Sequence, residues 1–256
     1  MFRVVSMSRS WRSLLLAGAA MLSLSACASN RGQLGTVDYA GLPQEQRQQT
    51  LAELTGRYKA NPRDRNTVIQ YAAVLRAVGQ PQQASAALEQ AIAAYPNDVE
   101  LAIAYAKALA SKGSFEQSVA VVDRVIRPDA PDWSALMVKG ASLDQMARHG
   151  EARALYAQAA TIAPGEASIE TNLGLSYAMT NELPTAEQHL RRAVQMRGAT
   201  TQTRQNLALI VGLQGRFQEC RALYAAELPP EQVEANMAYV RALLTQQNRW
   251  DMIDKG

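Results

Sequence analysis

Small and apolar residues along this chain fall into columns that recur every 34 positions. Ala84, Ser118, Ala152, Ala186 and Cys220 form a column of small residues. Leu88, Val122, Tyr156, Leu190 and Tyr224 follow one helical turn later, and Ala91, Val125, Ala159 and Ala193 one turn after that. That spacing keeps them on one face of a helix. Tyr71, Tyr105, Lys139, Leu173 and Leu207 keep the same step before the small column. Pro96 and Pro164 keep it after, with Ala130 and Gly198 in the equivalent places.

Each period predicts two helices. The first unit, 65–98, holds helices near 65–78 and 81–95, broken at Gly79-Gln80-Pro81. The second, 99–132, breaks around Lys112-Gly113, and Asn97-Asp98 offers an N-cap at its start. The third, 133–166, departs from the pattern because Gly150 stands three places late. Either its first helix continues through Met146–His149 or its turn takes another shape. The fourth, 167–200, has Asn181 at the turn and Pro184 just inside the next helix. The fifth, 201–228, turns at Gly215 and stops at Pro229-Pro230. A half-unit over 44–62, with Leu51, Leu54 and Tyr58 on one side, covers the front of the array. A helix over 231–247, with Val233, Met237, Val240, Leu243 and Leu244, covers the back. The tail 248–256, carrying Trp250, Met252 and Ile253, is expected to dock on that cap.

A 34-residue unit with a small residue at the helix crossing and a proline near its end resembles the tetratricopeptide repeat. Two antiparallel helices cross closely only where the side chain between them is small, and larger columns then fill the ridges around the crossing. The expectation is an all-α fold, a right-handed superhelical solenoid of helix hairpins from 44 to 256 with no separate second domain. A hydrophobic share of 48% is enough for a sizeable core, and the abundance of Ala, Leu, Gln, Arg and Glu favours helix.

The N-terminus reads as an address. Arg3, Arg9 and Arg12 precede an apolar or small run over 13–26, too short to span a membrane comfortably. Leu24-Ser25-Ala26-Cys27 resembles the bacterial lipobox at all four places. The resemblance implies cleavage after Ala26, a diacylglyceryl group on the Cys27 thiol and acylation of the new amino group. Each buried CH₂ contributes about 0.8 kcal/mol, so several acyl chains anchor durably. Ala28 follows Cys27 where an Asp would retain the protein at the inner membrane, so the resemblance implies the periplasmic face of the outer membrane. Residues 27–43, rich in Gly and polar side chains, read as a flexible tether. The three leader arginines account for the whole net charge of +3, which leaves the mature chain neutral and argues against a nucleic-acid footprint. Cys27, once lipidated, has no thiol left to pair with Cys220.

Candidate chemistry is sparse. His149 and His189 lie in no metal-binding pattern and are expected on the solvated surface. There is no phosphate-cradling Gly-rich loop and no nucleophile elbow. Cys220 sits in the small-residue column and reads as a buried core thiol. The chain is therefore read as non-enzymatic, with no cofactor, metal or small-molecule substrate. A protein-binding surface is the better reading. The resemblance places the second, fifth, ninth and twelfth positions of each unit on a concave face. Those positions are Asn66, Ile69, Ala73 and Arg76; Glu100, Ile103, Lys107 and Ala110; Ser134, Met137, Ala141 and Asp144; Ser168, Thr171, Leu175 and Ala178; and Gln202, Gln205, Leu209 and Gly212. The face is mixed and fairly apolar, which suits an extended or helical peptide. Repeats that clamp a C-terminal carboxylate carry Lys and Asn at the fifth and ninth positions of one unit. Ile69 and Ala73 stand there in the first unit, so that role is not implied.

The C-terminal part carries a more specific resemblance. Asn206 to Phe217, Glu227-Leu228-Pro229-Pro230-Glu231, and Glu234-Ala235-Asn236 with Tyr239 and Arg241 resemble the TadD family of tetratricopeptide lipoproteins, which serve tight-adherence (Flp) pilus assembly. Cys220 and Glu227 depart from that family's usual Ala and Asp. The resemblance implies protein partners in pilus assembly and help in localising or assembling the secretin pore. A generic periplasmic scaffold for outer-membrane protein assembly or envelope maintenance needs only the lipobox and the repeats. Replacing Cys27 by Ser is expected to move the protein from the membrane to the soluble fraction with unchanged helicity; a variant still in the outer-membrane fraction overturns the anchor.

Overall fold

The first helix of each unit begins and ends on signals that recur with the repeat. Asp64, Asp98, Asp132 and Thr200 are N-caps whose side chains accept from the backbone N–H groups of Thr67, Leu101, Ala135 and Thr203. Each satisfies one of the amides a helix start leaves open. Glu166 holds the equivalent place without a side-chain bond. At the other end, Gly79, Gly113, Ala147, Asn181 and Gly215 all take positive φ, from 60° to 85°. The next residue then donates back to a carbonyl five places earlier, as from Gln80 to Leu75 at 2.8 Å and Arg148 to Leu143 at 2.9 Å. This is the Schellman closure, and glycine adopts it without steric cost.

The computed structural model describes residues 39–253, with side chains through Thr245. The leader 1–26, the lipobox Cys27, the tether up to residue 38 and residues 254–256 lie outside the described residues. The helices are α1 (Gln44–Ala60), α2 (Arg65–Ala77), α3 (Pro81–Ala94), α4 (Val99–Ser111), α5 (Phe115–Asp123), α6 (Trp133–Gln145), α7 (His149–Ile162), α8 (Ala167–Met179), α9 (Leu183–Gln195), α10 (Thr201–Leu213), α11 (Phe217–Ala225) and α12 (Pro230–Ile253). Among the described residues there is no strand. The third turn is neither lengthened nor reshaped. α6 stops at Gln145, and Ala147 takes the left-handed place that Gly79 and Gly113 hold in the first two units, leaving Gly150 in the first turn of α7.

The small-residue column is completely buried: Ala84, Ser118, Ala152, Ala186 and Cys220 all expose 0%. It lies against the preceding helix of its own hairpin. The Ser118 hydroxyl donates to the Ala106 carbonyl at 2.9 Å. A Cβ on Gly174 would stand 3.0 Å from the Ala186 carbonyl oxygen and 2.8 Å from Leu190 Cγ. Leu88, Val122, Tyr156 and Leu190 fill the turn beside it with at most 1% exposed.

Both ends are closed. At the front, α1 buries Leu54 and stacks Tyr58 on Tyr71 of α2, with ring centroids 4.7 Å apart. At the back, α12 buries Val233, Met237 and Val240. Expected to stop at Gln247, α12 instead runs on through Ile253. No Gly or Pro interrupts Glu231–Ile253, so the backbone of 248–253 continues the helix where a docked tail was expected to turn back. Replacing Ala147 by Gly removes the Cβ penalty of the left-handed conformation, and a stabilisation of about 1 kcal/mol is expected in thermal unfolding. A lower melting temperature overturns this account of the third turn.

Candidate binding groove

Along the array, α2, α4, α6, α8 and α10 each approach the next first helix, and α10 approaches α12. The second helices α3, α5, α7, α9 and α11 do not approach one another. The first helices are thus the more closely spaced layer and form the inner side of the curve.

Burial divides the residues expected on that side. Ile69, Ile103, Met137 and Thr171, the fifth positions, are buried, each at 9% exposed or less. They are corrected here from open side chains to packing between helices. Thr171 Oγ1 lies 3.2 Å from Thr203 Oγ1 of α10 and donates to the Ala167 carbonyl. Gln205 is half-buried. At the second positions, Asn66, Glu100, Ser168 and Gln202 are exposed and Ser134 is half-buried. Three of these have partners within the chain. Arg65 donates to Asn66 at 3.1 Å and pairs with Asp98 and with Glu100, the latter at 2.6 Å. Gln202 donates to Asn206 at 3.0 Å. The ninth and twelfth positions form the open floor, where Ala73, Arg76, Lys107, Ala110, Ala141, Leu175, Ala178 and Leu209 are half-buried.

Asp144 and Gly212 depart from that floor. Gly212 is buried, and a Cβ there would stand 2.8 Å from both Cys220 Sγ and Val240 Cγ1. Asp144 is only 6% exposed, which corrects its expected place among the offered side chains. Its Oδ2 accepts from Tyr156 Oη at 2.9 Å, its Oδ1 accepts from Ser176 Oγ at 2.8 Å, and His149 Nδ1 lies 2.9 Å from Oδ1. These partners come from α7 and α8 and compensate the burial of the carboxylate. Burial and the Asp144 charge push the Tyr156 hydroxyl far above the ordinary phenol range. Asp144 is a tie between the third and fourth units.

The two histidines also differ from expectation. Their side chains are 21% and 16% exposed, and both are engaged. His189 stacks on Tyr177 at 5.1 Å, and its Nδ1 lies 2.9 Å from Glu170 Oε2. The Arg153 guanidinium covers the Tyr177 ring at 3.9 Å, donates to the Ser176 carbonyl at 3.0 Å and pairs with Glu182 at 2.9 Å. Sequence reasoning missed these layers because their members share no 34-residue column: folding of the fourth unit brings His189 to Tyr177 and Glu170, and Arg153 reaches the Tyr177 ring from the third. Cys220 is buried, its Sγ 3.5 Å from Met237 Sδ, and burial raises its pKa. Among the described residues, no group of three or more His, Cys, Asp or Glu side chains is arranged to hold a metal ion, and no helix is long and apolar enough to cross a membrane.

A family model described as "Tetratricopeptide repeat" matches residues 75–139. The solved structure of a thermophilic tetratricopeptide protein of Thermus thermophilus is similar with a TM-score of 0.61 at 21% identity, over 68% of this chain and 97% of that one. The fold is a tetratricopeptide-repeat solenoid. A tetratricopeptide protein from Parabacteroides merdae aligns with a TM-score of 0.63 at 11% identity, over 79% of this chain and 78% of that one. PilW, a type IV pilus biogenesis factor, aligns with a TM-score of 0.57 at 17% identity, over 78% of this chain and 91% of that one. No curated protein matches the chain. At these identities the likeness is one of fold. Replacing Asp144 by Ala strands the Tyr156 and Ser176 hydroxyls, and a loss of about 2–4 kcal/mol is expected in denaturant unfolding; a change under about 0.5 kcal/mol overturns its role as a tie.

Proposed function

We propose that this chain is a non-enzymatic protein-binding lipoprotein. Cys27 anchors it at the periplasmic face of the outer membrane, and it serves tight-adherence pilus assembly by helping the secretin localise or assemble. The observation that carries the binding role is the inner floor. Its ninth positions stay half-open along every first helix from α2 to α10, and its twelfth positions do so on α2, α4 and α8, while the fifth positions beside them are largely packed. A solenoid offers such a surface to an extended or helical partner segment.

The lipobox supports the anchor, and the TadD-like cap supports the pilus system. The cap's residues form the joint at the back of the array. Glu227 pairs with Arg204 at 2.5 Å, Leu228 packs on the last core cluster, and Arg221 pairs with Glu234. The likeness in fold to a type IV pilus biogenesis factor agrees with this reading.

Deleting the gene is expected to deplete secretin multimers or surface pili. Normal levels of both overturn the pilus role. Co-purification with the outer-membrane protein insertion machinery, without secretin, points instead to the general envelope scaffold.

A further inference from the structure

On the inner floor of the first two units, two cations stand without a carboxylate partner. Arg76 is the last basic residue of α2, and Lys107 lies in the middle of α4. Arg76 Nε donates to Ser111 Oγ at 3.1 Å, and Ser111 Oγ donates to the Lys107 carbonyl at 2.8 Å. One hydroxyl therefore joins the guanidinium to the helical turn that carries Lys107. Arg65, Arg153, Arg191, Arg204 and Arg216 each pair with a carboxylate; neither Arg76 nor Lys107 forms an ion pair among the described residues.

Acids of the first helices and their caps are committed elsewhere. Glu100 pairs with Arg65, Asp132 caps α6, and Asp144 is buried under its donors. Burial lowers the pKa of both cations, and the Arg76 charge presses further on Lys107, with Asp132 opposing. Two like charges on adjacent first helices in a partly dehydrated place favour an incoming anion. Ala73, Ala110 and Ala141 share this part of the floor, and their small side chains leave room there. Farther along, the floor becomes Leu175, Ala178 and Leu209, with no charge at the ninth or twelfth position.

We propose that Arg76 and Lys107 receive side-chain carboxylates of an acidic partner peptide whose apolar residues lie toward α8 and α10. This rests on the groove reading above and gives the partner segment a chemistry and a direction. The two cations come from adjacent units, at the twelfth position of one and the ninth of the next, so they grip a segment that crosses from one hairpin to its neighbour.

The test is selection of random dodecapeptides displayed on phage against the full lipidated chain in detergent, in parallel with R76Q/K107Q and the charge-preserving R76K/K107R. Enrichment of Asp or Glu beside apolar residues is expected with the native chain. In R76Q/K107Q the synthesised acidic peptide is expected to bind about tenfold or more weakly at an unchanged melting temperature, with R76K/K107R retaining the acid preference. Peptides enriched without acids, or an acid preference that survives in R76Q/K107Q, overturn the assignment and leave the groove reading standing. A single-stranded oligonucleotide that binds through the pair, in place of any acidic peptide, also overturns it. Failure to enrich any peptide sinks the groove reading together with this one.

Discussion

The structure depends on the close crossing of two helices within each hairpin. At that point one helix presents a residue with almost no side chain, and the other can approach until backbone and side chain touch. Ser118 donating to the Ala106 carbonyl, and Gly174 facing the Ala186 carbonyl, are two versions of the same contact. Size is traded across the joint. Tyr156 is the largest fully buried side chain among the described residues, and it lies against Gly140, where an added Cβ would clash with its ring. Leu190 fills the corresponding place against Gly174. Close packing leaves no slack at these two joints, where Tyr156 and Leu190 each stand against a glycine.

Polar groups are treated differently along the array. Between the third and fourth units, Asp144, Tyr156 and Ser176 satisfy one another, and Arg153 and His189 both lie against the Tyr177 ring. Farther on, Glu187 accepts from Arg191, Gln214 and Arg216, and those donors hold its carboxyl down at about 2. These networks join successive hairpins where apolar contact alone would permit sliding. In the first two units Arg65 pairs with Asp98 and Glu100, while Arg76 and Lys107 form no ion pair among the described residues. Polar ties thus join hairpins near both ends of the array, through Arg65 at the front and Glu187 toward the back.

Much of the fold was legible from local repetition. The crossing residue, the caps and the left-handed turn position all lie within one hairpin, so each recurs at the same spacing and can be counted along the chain. The third turn shows the limit of reading by residue type. Gly150 drew attention as a displaced glycine, while Ala147 held the strained position, because the hairpin geometry imposes the left-handed backbone whatever residue stands there. The end of α12 shows another limit. Its length follows from uninterrupted helix-forming residues, whereas the visible apolar pattern faded earlier.

By itself, then, the sequence determined the helix pairs, their order and the face on which each hairpin closes, since these follow from contacts between residues close together along the chain. The tertiary structure decided which inner residues remain open. Arg76 and Asp144 hold the same twelfth position, yet one is half-open with a single hydroxyl partner and the other is buried beneath donors from two later helices. The groups that decide the difference lie on neighbouring helices, Ser111 for one and Tyr156 and Ser176 for the other. Burial is a property of what packs across a residue, and a column of one chain does not carry it.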